Sequence, residues 1–545
     1  MRKLYTSAVA IALIAGTAAA QENCAPSVAT IKVQAEGHQQ AKDPLNGEPR
    51  GATIWTDDFS NPANWTINHY GTFNLDWQIG VGLINTGDYP TPAIQSTTAA
   101  NGYATVDSDA GLNTSTPYES SCLTTANPID LTLFPNVILE FQNQYRKYTD
   151  KQCYVEISTN YAECFTTLDP TTDISLYPNI FYVWQPTGDL IQGVSPGNPV
   201  TKRINISAVA GGQAEVWVRF HWTGIYGYSW FVDDVNIQEQ PPYELVMQDG
   251  FLSNTGNGEE HCRIPVSEMP ASMLCGGNAV NQGVNPMTNV KLAMLVRDAS
   301  NTVVFGDSVT VGSLAAGDTL AMSQMVTVPV LPEGVYYATF TTSADETGSE
   351  TFTTNNVHLR NFEVTNLRFG LDGVGNHPAG YENYASTGTD QFTGAADDLI
   401  AFTYYPIATT ETVYGIEFLT TAGSVSGGTA IVSIHDTTNI LADDPTQPLV
   451  ESQDHVHSAY EIGIGRAMVY FDTPYSSDPG GYYAAVRMFS NSGTNDWRIL
   501  DDLAVPQPGM SSAIFIPSDL TYSNGNALCI RLGLDISIGV QEHTD

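Results

Sequence analysis

The sequence predicts an all-β protein built from several sandwich domains. Runs such as 136–142, 153–158 and 215–222 alternate apolar and polar residues with a period of two, as half-buried strands do. Almost nothing repeats at helical spacing. Thr, Val, Tyr and Gly crowd the chain, and Gly, Pro, Asn and Asp punctuate it. With 545 residues, the chain is longer than the roughly 250 at which a single hydrophobic core stops growing, so more than one domain is expected.

Residues 1–20 read as an export signal. Arg2 and Lys3 precede the apolar run 8–14, and Ala18, Ala19 and Ala20 form a small-residue cleavage site before Gln21. That run is too short to cross a bilayer, and no later stretch approaches ~20 apolar residues, so no membrane span is expected. Residues 21–50 read as a flexible leader. The mature chain is expected to be secreted or held at the outer cell surface.

Fifty-eight acidic residues face twenty basic ones, a formal charge of −38, and loss of Arg2 and Lys3 with the signal makes it more negative. Such a surface repels nucleic acids and anionic membranes and leaves cations, neutral glycans or proteins as partners. The seven cysteines (Cys24, Cys122, Cys153, Cys164, Cys262, Cys275 and Cys529) lie in a chain bound for an oxidising compartment. Short separations nominate Cys153–Cys164 and Cys262–Cys275 as bridges. Zinc is the poorer account, because no Cys-x-x-Cys spacing occurs.

The first domain is placed at 51–239. It opens with Ile54 and Trp55, passes the acid pair Asp57–Asp58, continues through Trp65, Trp77 and Ile79, and closes with the strand 230–237 (Trp-Phe-Val-Asp-Asp-Val-Asn-Ile). The adjacent carboxylates Asp233 and Asp234 inside an apolar strand are costly to bury unless a cation, dense hydrogen bonds or water neutralises them. The two acid pairs meet if the first and last strands are neighbours in one sheet.

The segments Asp57-Asp58-Phe59-Ser60 with Trp65, then 102–109 (Gly-Tyr-Ala-Thr-Val-Asp-Ser-Asp), then 227–237 resemble the MAM-like jelly roll of bacterial surface proteins, which includes cleaved-adhesin and choice-of-anchor domains. The resemblance covers about a third of the chain. It implies a jelly-roll sandwich, a non-catalytic binding or adhesion role, and a calcium ion near the first and last strands. Where members of that family commonly have Glu, this chain has Asp58.

A second boundary falls after 239–243 (Glu-Gln-Pro-Pro-Tyr). Residues 243–365 read as a smaller sandwich with strands at 290–296, 302–309, 319–328, 334–341 and 359–364, joined by turns such as 314–320. These pieces resemble the immunoglobulin-like modules of bacterial surface proteins, which implies a spacer. Its early loop 259–281, carrying Cys262 and Cys275, is open to a second reading as a binding insert.

Residues 367–534 read as a C-terminal β-sandwich with strands at 400–405, 413–419, 429–436, 466–471 and 481–489. Here 497–505 echoes the Trp230 segment, with Asp501–Asp502 one residue further from the tryptophan, and hints at a second jelly roll. A one-residue shift reverses side-chain faces in a regular strand, so a bulge or a different role is equally open. Residues 535–545 read as a linker. The stretch 532–545 resembles the strand and linker before the sorting domain of Bacteroidetes proteins exported by the type IX system, which implies export machinery as a partner if a sorting domain follows.

Calcium is the leading site expectation, since a hard cation takes ~6–8 oxygen ligands at ~2.3–2.6 Å from carboxylates and carbonyls. Asp58 and Asp233 are the leading pair, with Asp57, Asp107, Asp109 and Asp234 as alternates, and only one member of each adjacent pair is expected to face inward. The competing reading is that these acids cap strand ends. Tyr145, Tyr148, Tyr226 and Tyr228 are the candidate ligand contacts, as flat rings beside polar loops; Trp222, which continues an alternating strand, is assigned to the core. His455 and His457 share a strand face, yet no third metal ligand is identifiable and solvated loop histidines are the preferred account. Residues 371–375 lack the length and lysine of a nucleotide loop.

The sequence therefore reads as a non-catalytic binding or adhesion protein recognising an extracellular glycan or protein. A structural spacer or filament component is the second reading. A secreted hydrolase is the third, without a Gly-x-Ser-x-Gly elbow or a His-Glu-x-x-His helix to support it.

Overall fold

The computed structural model describes residues 51–538, except 71–74, 88, 112–118, 149–152, 162–171, 186–189, 191, 194, 225–226 and 518. The protein is almost entirely β, in several discrete sheets of sandwich type. Among the described residues no helix is long and apolar enough to cross a membrane.

Alternation produces the first sandwich directly. On the Trp217–Gly224 strand, Val218, Phe220 and Trp222 point into the core while Arg219, His221 and Thr223 take the opposite face. This strand lies at the centre of an antiparallel sheet ordered Trp65–His69, Glu119–Thr125, Trp217–Gly224, Cys153–Ser158, Ile180–Tyr182. The opposing sheet runs Gln78–Gly80, Tyr103–Asp107, Ser229–Glu239, Val137–Tyr145, Val200–Asn205. Thr53–Asp57 pairs antiparallel with the second half of Ser229–Glu239, so the first and last strands of this unit are neighbours, as expected. Between the sheets, Trp65, Trp77, Phe141, Phe220, Trp222 and Trp230 are buried.

The expected strands of the next segment are present with slightly different ends: Lys291–Arg297, Val303–Thr310, Thr319–Thr327, Gly334–Ser343 and Val357–Val364. One nine-stranded sheet runs from Val303–Thr310 through Lys291–Arg297, Gly334–Ser343, Val357–Val364, Arg263–Ile264, Arg368–Gly370, Ile530–Gly533 and Glu411–Leu419 to Arg466–Ser477. It therefore continues across position 366 without a break, and one apolar core lies against it on both sides of that position. A seven-stranded sheet including Thr429–Asp436, Gly480–Phe489 and Asp397–Ile407, with a three-stranded sheet containing Arg498–Asp502, completes the C-terminal part.

The segment read as a possible binding insert is instead the joint of this sheet. Glu259, Glu260, His261, Cys262, Arg263 and Ile264 are all buried. Arg263–Ile264 pairs parallel with Val357–Val364 and antiparallel with Arg368–Gly370. His261 lies against Phe369 and Tyr405 and bonds the Tyr404 carbonyl through Nε2 at 3.1 Å.

At the same joint, buried ion pairs accompany the apolar contacts. Arg531 donates to Asp372 at 2.5 and 2.8 Å and to Glu417 at 3.0 Å. Arg263 reaches Asp372 at 3.0 Å, and Arg368 clamps Glu417 at 2.6 and 3.1 Å. Burial alone would raise the Asp372 carboxyl, but Arg531 and Arg263 outweigh it and hold it at about 2.

Both expected cysteine pairings need revision. Cys262 packs with Leu371, Val505 and Ala527 at the joint, whereas Cys275 lies in the main core on the Ser272–Asn281 strand, and both are free thiols. Cys153 is also free and buried in the first core; Cys164 lies outside the described residues. No disulfide is present among the described residues.

Candidate functional site

The acids nominated from the sequence fall into three places, set by one irregularity in the closing strand. Trp230 and Val232 point into the core, and so do Val235 and Ile237, so the inward parity changes between 232 and 235. The register against Val137–Tyr145 shifts between Asp233 and Asn236, and Asp234 has φ +48°. A bulge of this kind places two consecutive residues off the core. Asp233 and Asp234 consequently approach the same loop, in place of the opposite faces expected of a regular strand.

That loop, 96–101, holds three carboxylates. Ser96 Oγ donates to Asp233 Oδ2 at 2.5 Å, and Thr98 Oγ1 donates to Asp234 Oδ1 at 2.6 Å. The Thr97 amide donates to Asp234 Oδ2 at 3.1 Å, and Asn101 Nδ2 donates to Asp58 Oδ2 at 2.8 Å. Pairing of Asp57 with Val235 brings Asp58 beside the bulge. Gly102 makes this approach feasible: it has φ +140°, and a Cβ there would lie 3.0 Å from the Phe59 carbonyl oxygen.

Electrostatics divide the three. Asp233, with no exposed surface, is pushed up to about 7 by burial, with repulsion from Asp234 and Asp58 adding to it against the Ser96 hydrogen bond. Asp234 is raised too, chiefly by burial, with Asp58 contributing. Asp58 is lowered by donors from Ser60 and Asn101. Among the described residues no arginine or lysine bonds these acids, and no group of three or more His, Cys, Asp or Glu side chains is arranged to hold a metal ion.

The other nominated acids have structural partners. Asp57 accepts from Trp65 Nε1 at 2.8 Å, Asn64 Nδ2 at 2.6 Å and the Phe59 amide at 2.9 Å, so it braces the turn into the second strand. Asp107 accepts from the Thr86 amide at 2.7 Å and Asp109 from the Tyr89 amide, and together they pin Thr86 and Tyr89. Ser229 pairs with Asp107, four residues along the strand from Asp233, so this is a separate end of the sandwich.

At that end two of the nominated tyrosines meet. Tyr148, 37% exposed, packs edge-on against Tyr228 at 5.9 Å, and the Arg146 guanidinium lies 4.7 Å over the Tyr228 ring. The Ser108 amide donates to the Tyr228 carbonyl at 3.1 Å, tying the rings to the Asp107 corner. Exposed Tyr89 lies on the adjoining pinned segment, and exposed Ile84 precedes it. Tyr145 does not join them: it is buried, stacked on Trp184 and edge-on to Trp222. Tyr226 lies outside the described residues. Trp222 is in the core, as read from its alternation.

His455 and His457 do not form a metal pair. His455 Nε2 bonds Glu461 at 2.8 Å, while His457 is fully buried between Trp497 and Phe418 and is lowered to about 4 by burial. It is therefore neither a solvated histidine nor a ligand. The echo segment also differs from the Trp230 strand, since Asp501 and Asp502 are both fully buried. Asp502 accepts from the Gly373 amide at 2.8 Å and bonds His377 at 2.7 Å; Asp501 accepts from Asn524 at 3.0 Å.

One polar cluster was missed by the sequence reading. On the outer face of the five-stranded sheet, His221 contacts Ser120 Oγ through Nε2 at 2.8 Å and Glu156 through Nδ1, with Arg219 Nη1 3.6 Å from Glu156. All four residues are buried. Burial alone would depress His221, but Cys122 and Glu156 outweigh it and lift it to about 10. The signal was available: Arg219 and His221 occupy alternate positions on a strand otherwise dominated by large apolar residues.

No family model matches the chain, and no curated protein matches it. Among solved structures it is similar to the K1 cleaved adhesin domain of Lys-gingipain from Porphyromonas gingivalis: 18% identity, 34% of this chain and 98% of that one, TM-score 0.22. It is similar to a CARDB domain from Pyrococcus furiosus solved with di-metal ions (16% identity, 23% of this chain, 91% of that one, TM-score 0.17). It is also similar to a Bacteroides uniformis beta-glucuronidase (12% identity, 55% of this chain, TM-score 0.24), of which it spans 32%. All three likenesses are distant.

Proposed function

We propose that the chain is an exported, non-catalytic binding protein whose first sandwich contacts an extracellular glycan or protein through its Tyr148–Tyr228 end. The observation that carries this reading is the exposed ring of Tyr148 set against Tyr228, with Arg146 stacked over the latter. Aromatic rings beside a cation on a pinned loop corner are the chemistry of an adhesive contact. An acidic chain of this composition favours neutral or cationic partners over nucleic acid. The jelly-roll and immunoglobulin-like assignments, and surface or type IX export, belong to this proposal.

Calcium belongs to it as a brace. Asp58, Asp233 and Asp234 are not arranged as a ligand set in this structure, so an ion there would have to draw them together, its charge offsetting the burial that chiefly raises Asp233 and Asp234. The Ser120–His221–Glu156 contact has the residue types of an activated nucleophile. A histidine held protonated is a poor base for serine, and its burial favours a structural role.

The test is a glycan array and a surface-protein binding screen with the mature chain, in parallel with Tyr148→Ala. Loss of the detected ligand in the variant, with unchanged thermal unfolding, supports the reading. Retention of full binding by Tyr148→Ala refutes it.

A further inference from the structure

Where the second segment begins, buried oxygen atoms of five side chains have no hydrogen-bond partner: Glu244 Oε2, Gln282 Oε1, Glu350 Oε1, Asn355 Oδ1 and Asn356 Oδ1. Buried polar atoms are nearly always bonded, so a group of exceptions in one place calls for a physical account.

Four of these side chains are held in a closed ring. Asn355 Nδ2 donates to Glu244 Oε1 at 2.7 Å, and Asn356 Nδ2 donates to Glu350 Oε2 at 3.0 Å. The Leu245 amide donates to that same Glu350 oxygen at 3.0 Å. Glu244 is joined to Leu245 and Asn355 to Asn356 by the chain itself, which completes the circuit. Each side chain thus uses one polar atom in the ring and keeps a second, an oxygen, buried and unused. Gln282 stands across the ladder from Glu244, its amide donating to the Glu244 carbonyl at 2.8 Å. The closeness follows from the fold: Leu245–Met247 is an edge strand, and the Thr354–Asn356 turn packs beside it.

All five spare atoms are acceptors, and two belong to carboxylates. Glu244 is fully buried, and Asn355 and Asn356 are buried with it. Among the described residues no arginine or lysine bonds either carboxylate; Arg203, whose charge reaches Glu244, is paired with Glu140. Burial raises Glu244 to about 7 against the Asn355 bond, repulsion from Glu350 adds to the rise, and the Phe352 amide and Arg203 oppose it.

We infer that this ring binds a calcium ion, Glu244 and Glu350 supplying the charge and Asn355, Asn356 and Gln282 supplying amide oxygens. Calcium takes ~6–8 oxygen ligands in flexible geometry, carboxylates and side-chain amides among them, with water completing the shell. A set with two negative charges and neither sulfur nor ring nitrogen suits it better than zinc. Magnesium demands a near-ideal octahedron and keeps its waters, so it fits a protein-built cage poorly. The ion would fasten residues 350–356 to the strand that opens the second segment. That is beside the point where Gln240, just past the first sandwich, donates to the Gln282 and Gly283 carbonyls at 3.1 and 2.9 Å. This site is separate from the Asp58–Asp233–Asp234 loop and does not depend on the Tyr148 reading.

The mature chain carrying Asp233→Asn, which disables the first-sandwich brace, is freed of metal with a chelator and titrated calorimetrically with calcium chloride or magnesium chloride. Calcium is expected to bind tighter than about 1 mM, the range of extracellular modules, and magnesium about tenfold or more weakly. In that background Glu244→Gln, which has the shape of the protonated acid, and Glu350→Gln should each weaken calcium by about tenfold or more. Asp345→Asn, which removes an exposed carboxylate of the same segment, should leave binding unchanged. Should both glutamine variants fail to fold, judged by circular dichroism, hydrogen exchange in residues 350–356 of the Asp233→Asn chain replaces them, and calcium but not magnesium is expected to slow it. The inference is overturned if the Asp233→Asn chain binds no calcium within that limit, if a folded glutamine variant binds as its parent does, if magnesium binds as tightly, or if calcium leaves exchange in 350–356 unchanged.

Discussion

Arg531 and Asp372, 159 positions apart, make a two-pronged buried ion pair at 2.5 and 2.8 Å. It sits where the Arg368–Gly370 strand pairs with Ile530–Gly533, so closing the C-terminal part and joining it to the preceding segment are one event. Removing one partner leaves the other buried with fewer counter-charges, Asp372 keeping only Arg263 and Arg531 keeping only Glu417. Asp372→Asn or Arg531→Met should cost about 3–5 kcal/mol, read as a drop in the urea midpoint. The wild-type nine-stranded region should unfold in one transition, detected identically by circular dichroism and tryptophan fluorescence.

Asp233 makes a distinct pH prediction. Its folded-state pKa is raised from the ordinary 3.8 to about 7. Below 3.8 both states hold the proton and the group contributes nothing. Between those values the unfolded chain ionises while the folded one does not, so stability declines as pH rises, with the full penalty above about 7. In calcium-free buffer Asp233→Asn should remove this decline and melt higher than wild type at pH 7.5. Added calcium should raise the melting temperature of the first sandwich in the wild type and not in the variant.

His221 behaves oppositely. Its folded-state pKa is raised from 6.5 to about 10, so its stabilisation is complete below about 6.5 and is lost as pH climbs through about 10. Urea midpoints of wild type and His221→Gln should converge between pH 7 and pH 10.5, with the wild type ahead at neutral pH. A constant gap across that range would contradict the charged assignment.

The cysteines give a chemical prediction. Cys262 and Cys275 occupy different packing clusters. Alkylation in denaturant without reductant, followed by peptide mass mapping, should label both.

Much of the fold was legible because strand periodicity is a local signal. Strands such as Thr429–Asp436 and Cys153–Ser158 fall where alternation placed them. The approach of Asp58 to Asp233 and Asp234 followed from treating the first and last strands as neighbours. What escaped was non-local. The bulge is written as Trp230 and Val232 against Val235 and Ile237, but reading it requires knowing which face is buried. The segment 259–264 resembles a polar loop because the ion-pair partners of Glu260 and Arg263 lie about 100 positions or more away, at Arg360, Glu363 and Asp372. Tyr145 sits at a strand end beside polar neighbours, and only the opposing Trp184 and Trp222 turn it inward.

The shared nine-stranded sheet also has a mechanical consequence. Tension entering through Ile530–Gly533 meets a strand hydrogen-bonded on both flanks, to Arg368–Gly370 and Glu411–Leu419. Extracting it means shearing two ladders together and stripping Arg531 from its carboxylates. A load carried by the molecule would therefore be resisted at this seam, while the first sandwich, with its own separate sheets, could yield independently.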